Sequence, residues 1–185
     1  LKEACRTAAG WAHPLTVAVN LSPIQFQHGE LPLLIQQTLI DTGLPPSRLE
    51  LEITEGILLG DFAHIVGLLR RIKAMGVRIA MDDFGTGYSS LSYLQAFPFD
   101  KIKIDKSFVQ SIGRTEQATT IIRAVIGLCR GLGIPVIAEG VETEEQRSFL
   151  AQEHCPEIQG YIIGRPAPIQ VYSKVVDSLA PVRTL

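Results

Sequence analysis

Three times in this chain a helical pattern stops at a glycine and an apolar run begins at once: Gly43 before Leu44-Pro45, Gly76 before Val77, and Gly133 before Ile134-Pro135. A glycine just past the last helical turn enters the left-handed region at little cost, and a proline beside it keeps the helix from resuming. These junctions read as helix-to-strand turns, and few architectures repeat them. The apolar runs are Leu15 to Val19, Leu49 to Ile53, Val77 to Met81, Lys101 to Ile104, Val136 to Ala138 and Ile158 to Ile163. Each is short and rich in apolar or β-branched residues, as strands buried on both faces of a parallel sheet are. Between them lie helical patterns at Leu31 to Thr42, Phe62 to Met75, Ser89 to Phe97, Glu116 to Leu132 and Glu144 to Glu153. In the fourth helix, Ile121, Ile122, Val125, Ile126, Leu128, Cys129 and Leu132 follow the spacing of a core-facing stripe, which makes Cys129 a core residue rather than a nucleophile. The expectation is one alternating α/β domain over residues 1–185, with six parallel strands.

Composition narrows the partners. With 46% hydrophobic and 19% charged residues in 185, the chain can bury a substantial core. Seventeen basic against nineteen acidic residues leave a formal charge of −2, so no basic excess calls for a nucleic acid polymer or an anionic membrane surface. Cys5, Cys129 and Cys155 have no metal-ligand spacing, and an odd count argues against a disulfide framework. No apolar stretch approaches the roughly 20 residues of a membrane helix, and no signal peptide is visible. A cytoplasmic location is the expectation, with any inner-membrane tether supplied by other domains.

Polar residues recur at one place in the pattern, the strand ends. The first strand leads to Asn20, the second carries Glu52 and leads to Glu55, and the third runs into Asp82-Asp83. The fourth holds Lys103 and leads to Asp105, the fifth leads to Glu139 and Glu142, and Gln159 lies at the start of the sixth. In a closed parallel barrel all strand C-termini share one rim, and chemistry is done there. Carboxylates gathered at one mouth repel unless protons or cations neutralise them. Oxygen-only ligands suit Mg²⁺ or Mn²⁺ rather than Zn²⁺, and adjacent carboxylates can bridge two ions. A phosphate ester is the matching target. Plainer readings exist for each: Asp82-Asp83 ahead of Phe84-Gly85-Thr86-Gly87 can open a turn, and Glu139 and Glu142 can serve a helix dipole. Lys103 between two isoleucines can face solvent, although in a barrel strand covered by helices an inward lysine beside carboxylates fits better.

The strings Val19-Asn20-Leu21-Ser22, Glu52-Ile53-Thr54-Glu55, Asp82 to Ser90, Lys103-Ile104-Asp105, Ala138-Glu139-Gly140-Val141-Glu142 and Gln159-Gly160-Tyr161 stand in the order and spacing of a known family. Together with Gly164-Arg165-Pro166 they resemble the EAL domain family from about Leu1 to Pro168. The resemblance implies a bacterial phosphodiesterase that cuts cyclic di-GMP to pGpG on a modified TIM (β/α)8 barrel with two Mg²⁺ or Mn²⁺ ions. By the same resemblance, Asn20, Glu52 and Asp82 would ligate the first metal. Asp82 would be shared with a second metal, which Asp83 holds and Glu139 supports. Lys103 would orient or help activate the attacking water, Glu55 would brace the segment Asp83 to Ser90, and Asp105, Glu142 and Gln159 would complete the polar surroundings and the substrate contacts. That 83–90 segment would also take part in a homodimer. Calcium would inhibit, and an upstream sensor or cyclase-like domain would share the parent polypeptide.

The Glu-Ala-Leu tripeptide that names the family is absent from this sequence. In the family its glutamate is a first-metal ligand, and the stretch around it supplies the first two strands. A barrel of this class takes about 250 residues, so the expectation here is about six of its strands, the domain being N-terminally incomplete. Two further functions stay open at this level. One is a non-catalytic cyclic di-GMP receptor or regulatory interaction module. The other, reached without the resemblance, is an aldolase-type barrel with Lys103 as a Schiff-base nucleophile, against which the dense carboxylates speak because they raise a lysine pKa.

Overall fold

The structure, a computed structural model, describes residues 1–27, 29–86 and 91–177. Its elements run α1 (Lys2–Ala9), β1 (Val17–Asn20), α2 (Leu31–Thr42), β2 (Leu49–Thr54), α3 (Phe62–Lys73), β3 (Arg78–Phe84) and α4 (Leu91–Ala96). They continue with β4 (Lys101–Ile104), α5 (Lys106–Gln110), α6 (Glu116–Leu132), β5 (Val136–Ala138), α7 (Glu144–Gln152), β6 (Glu157–Ile158) and α8 (Ser173–Val176). The chain divides into two compact units. One comprises Leu1–Ile53, Ile57–Ile79 and the described residues from Ala167; the other comprises Thr54–Gly56 and Ala80–Pro166.

In the first unit β1 and β2 pair in parallel, with Val17 opposite Leu49 and Asn20 opposite Glu52. Every residue of β2 from Leu49 to Ile53 is buried: Leu49, Leu51 and Ile53 share one face and Glu50 and Glu52 the other, so the strand is covered on both. In β1 burial alternates, and Asn20 is exposed. Arg48 ties the entrance of β1 to that of β2. Its Nε donates to the Leu15 carbonyl at 2.9 Å, and its Nη2 to the carbonyls of Ala8 and His13 at 2.7 and 3.3 Å. The five-donor fork of a guanidinium can hold three carbonyls that no strand ladder reaches. Helix α2 packs on α1 and α3. Asp61 caps α3 by accepting from the His64 amide at 3.1 Å.

In the second unit β3, β4, β5 and β6 are parallel neighbours in chain order. Ile102 stands opposite Val136 and Ile104 opposite Ala138, and Ile137 faces Glu157. Helix α6 packs against β4 and α5. Its apolar stripe places Ile122, Val125, Ile126 and Cys129 in the core, with Cys129 wholly buried.

Helices α2 and α6 and strands β4 and β5 have the bounds that the periodicity predicts. Gly43 and Gly133 both take the left-handed conformation at the ends of α2 and α6. The ends of β1, β2, α3 and α7 differ from expectation by one or two residues, and three larger expectations change. Strand β3 runs on through Asp82, Asp83 and Phe84 rather than stopping at Met81. Leu132 is exposed, because it lies in the final turn of α6 as the helix leaves the core. The sixth strand is only Glu157–Ile158, since the amides of Ile163 and Gly164 both turn back onto the Gly160 carbonyl. The expected start of α4 at Ser89 lies outside the described residues.

Candidate active site

An ordinary strand sends consecutive side chains to opposite faces. Asp82 and Asp83 break that rule. The register of β3 on β4 slips between Met81 and Phe84, a bulge, and Asp83 has φ 54°, a left-handed conformation unusual for a residue with a side chain. The Asp83 amide donates to Oδ1 of Asp82 at 3.0 Å. With the backbone turned in this way, one carboxylate oxygen each from Asp82, Asp83 and Glu139 lies within 4.8 Å of the others. A residue with a side chain held in this sparsely populated region costs about 1–3 kcal/mol, which the surrounding structure must offset.

Lys103 enters the cluster from β4. It is 4% exposed, and its Nζ lies 2.7 Å from Oε1 of Glu139 and 3.1 Å from Oδ1 of Asp82. All of Ile102 to Ile104 is buried, which answers the question of direction: this lysine points to the carboxylates, not to solvent. Burying an ammonium costs several kcal/mol, and two carboxylates in direct contact are what offset it.

Asp105 caps α5. Its Oδ1 accepts from the Ser107 amide at 2.9 Å and from the Ser107 hydroxyl. The Asp105 and Asp83 carboxyls lie close enough for each to shift the pKa of the other. Burial, then the nearby charges of Asp82 and Asp105, push the Asp83 carboxyl above the ordinary carboxylate range. For Asp105, burial works upward, but the two Ser107 donors, the Asp83 carboxyl and Lys106 outweigh it and hold its pKa below normal. The short helix α5 that Asp105 begins has no separate signal in the apolar periodicity, although an Asp two residues before a Ser is a cap signature that could have found it.

The structure places the other expected site residues as follows. Glu55 is buried, 3% exposed, and opens a 3-10 turn, Glu55–Leu59. Part of the segment it would brace, residues 87–90, lies outside the described residues. Glu142 is exposed and its Oε1 accepts from Gln110 Nε2 at 3.4 Å. Gln159 is exposed, and its backbone joins the loop after β5: its amide donates to the Ala138 carbonyl and its carbonyl accepts from Val141. Asn20 and Glu52 belong to the first unit, where they stand opposite each other in register with Glu52 buried and Asn20 exposed.

An EAL domain model matches residues 1–166. The chain belongs to the EAL domain family. A Caulobacter vibrioides protein described as an uncharacterized signaling protein is 65% identical over 169 residues, covering 91% of this chain and 21% of that protein. MucR of Pseudomonas aeruginosa, a bifunctional diguanylate cyclase/cyclic di-GMP phosphodiesterase, is 40% identical over 92% of this chain and 25% of its own length. The solved PaMucR phosphodiesterase in complex with c-di-GMP superposes with a TM-score of 0.89 at 40% identity, covering 92% of this chain and 71% of that one. A Klebsiella pneumoniae BlrP1 complex with manganese and cyclic di-GMP gives 0.83 at 33% identity, covering 90% and 43%. The chain thus spans about a fifth to a quarter of these curated relatives. Its fold class is the modified TIM barrel of EAL domains, represented by six parallel strands with their helices.

Proposed function

We propose that this chain is a metal-dependent phosphodiesterase domain that hydrolyses cyclic di-GMP to pGpG, and that residues 1–185 form one EAL-type domain. The observation that carries the reading is the Asp82, Asp83 and Glu139 carboxylate group with Lys103 set between two of its members. Three hard oxygen donors within 4.8 Å fit a Mg²⁺- or Mn²⁺-sized ion, and the raised Asp83 pKa marks a place where added positive charge is favourable. Asp82, Asp83 and Glu139 would hold metal there; Asn20 and Glu52 are metal ligands by the family resemblance alone. Two such ions when bound would polarise the phosphodiester and lower the pKa of a water.

The chain's own residues do the rest. Lys103 keeps the Asp82 and Glu139 carboxylates oriented and presents an ammonium where phosphoryl charge develops. Asp105, held by its two Ser107 donors, sets a second carboxyl beside Asp83 and raises the Asp83 pKa. Glu55, by the resemblance, braces the 83–90 segment, and Gln159 and Glu142 contact substrate. Cyclic di-GMP is an intracellular messenger, so this reading puts the domain in the cytoplasm; no described helix is long and apolar enough to cross a membrane. Further signalling domains in the same polypeptide and a homodimer through residues 83–90 belong to this reading.

The test is to incubate the chain with cyclic di-GMP and Mg²⁺ or Mn²⁺ and to resolve the products by chromatography, with Asp82→Asn as control. pGpG formed only by the unmutated chain is the expected result. Binding without cleavage would replace the enzyme reading with that of a receptor.

A further inference from the structure

Between Glu139 and Glu142 the backbone is held at almost every residue. The Glu139 amide donates to the Ile104 carbonyl at 3.1 Å. Gly140 has φ 70°, and a Cβ there would stand 2.6 Å from Lys106 Cβ, so the chain passes too close for any side chain. Val141 is wholly buried, donating to the Gln159 carbonyl and accepting from the Ile162 amide. The next two amides, of Glu142 and Thr143, both go to one atom, Oε1 of Gln146.

Gln146 is the third residue of α7 and 8% exposed. Capping that helix accounts for part of its bonding: its amide donates to Thr143 Oγ1 at 3.2 Å, and its Oε1 accepts from the Thr143 amide at 3.1 Å. The shorter bond, 2.7 Å, comes from the amide of Glu142, one residue before the cap. A capping box has no use for that contact. It fastens the segment that carries Glu139, whose carboxylate meets Lys103 and the Asp82-Asp83 pair.

We infer that Gln146 is a positioning residue for the metal-binding carboxylates, acting on Glu139 through the Glu142 amide; this rests on the phosphodiesterase reading above. Outer partners that orient ligands commonly change metal affinity about ten- to a hundredfold when removed. Helix capping alone changes stability and leaves affinity where it was.

Three variants separate the two roles, read by electron paramagnetic titration of free Mn²⁺, by cyclic di-GMP turnover and by thermal midpoint. Gln146→Met keeps the buried volume and removes the acceptor; Mn²⁺ binding is expected to weaken about tenfold, with turnover falling alongside. Gln146→Glu returns an acceptor oxygen and is expected to recover most of both. Thr143→Ala removes the helix cap but spares the Glu142 bond, so its midpoint falls while its Mn²⁺ affinity stays. Equal Mn²⁺ affinities in Gln146→Met and Thr143→Ala, or no recovery in Gln146→Glu, would overturn the assignment. Hydrogen exchange on the unmutated chain gives an independent check: slow exchange at the Glu142 amide supports the bond, and unprotected exchange there refutes it. An unmutated chain that neither binds Mn²⁺ nor cleaves the dinucleotide would instead bring down the functional reading, and this inference with it.

Discussion

Lys103 joins the stability of the fold to the proposed chemistry, because its two ion pairs are with carboxylates of the candidate site. Removing one partner from a buried charge cluster typically costs about 3–5 kcal/mol, because the charges left behind lose their compensation. Lys103→Met is therefore expected to destabilise the metal-free protein by about that much in urea unfolding, and Mn²⁺ should restore part of the loss by taking the place of the ammonium charge. Equal unfolding midpoints for the two proteins in metal-free buffer would contradict the cluster of Lys103 with Asp82 and Glu139. The thiols give a pH prediction. Burial pushes the Cys129 and Cys155 thiols up to about 11 from an ordinary 9, and at Cys155 the nearby Glu157 charge adds to burial while hydrogen bonds oppose it. Both thiols stay protonated at about pH 8, so alkylation there should be much slower than for a free thiol. A folded-state pKa raised above the unfolded value contributes stability below pH 9 that is lost as pH rises toward 11, because the unfolded thiols ionise first. A thermal midpoint that rose between pH 9 and 11 would contradict those shifts.

At the level of elements, two glycines with different surroundings should respond in opposite directions. Gly67 lies in the middle of α3 with nothing within 4 Å of where a Cβ would stand. Gly67→Ala is expected to stabilise by about 0.5–1 kcal/mol through helix propensity. Gly160 follows β6, and its Cβ would lie 2.1 Å from the Val141 carbonyl oxygen, an atom of rigid backbone. Gly160→Ala must displace the loop after β5 and should cost about 3 kcal/mol in thermal unfolding. Elements with strong local signals are legible in the order of residues: α2 and α6 have their predicted bounds because each stops at a left-handed glycine, and β4 and β5 because each is a short apolar run that leads into a polar residue, Asp105 or Glu139. The run Ile158 to Ile163 is apolar enough to predict a longer strand than β6, but a turn onto the Gly160 carbonyl ends it, and the bond from the Ile162 amide to the distant Val141 carbonyl that accompanies that turn leaves no trace in the run.

For the molecule as a whole, the proposed function makes the bound ion decide the outcome. Ca²⁺ takes longer and more variable coordination than Mg²⁺, so it should support cyclic di-GMP binding by the carboxylate site and block turnover. Rapid cleavage in calcium alone, measured by product chromatography, would count against the mechanism. The near-neutral formal charge of −2 conceals the feature that matters, which is that acidic residues from β3 and the end of β5 meet at one place around Lys103. The alternation of helices and strands, the polar strand ends and the candidate ligands can all be read from the residues in order, since periodicity and turn chemistry are local properties. It takes the folded chain to show that Asp82 and Asp83 turn toward one cluster, that Lys103 stands between Asp82 and Glu139, and that Gln146 reaches past its helix cap. Each of these depends on a bulge, a left-handed residue or a bond between separate segments, and such contacts are set by packing rather than by the order of residues along a strand.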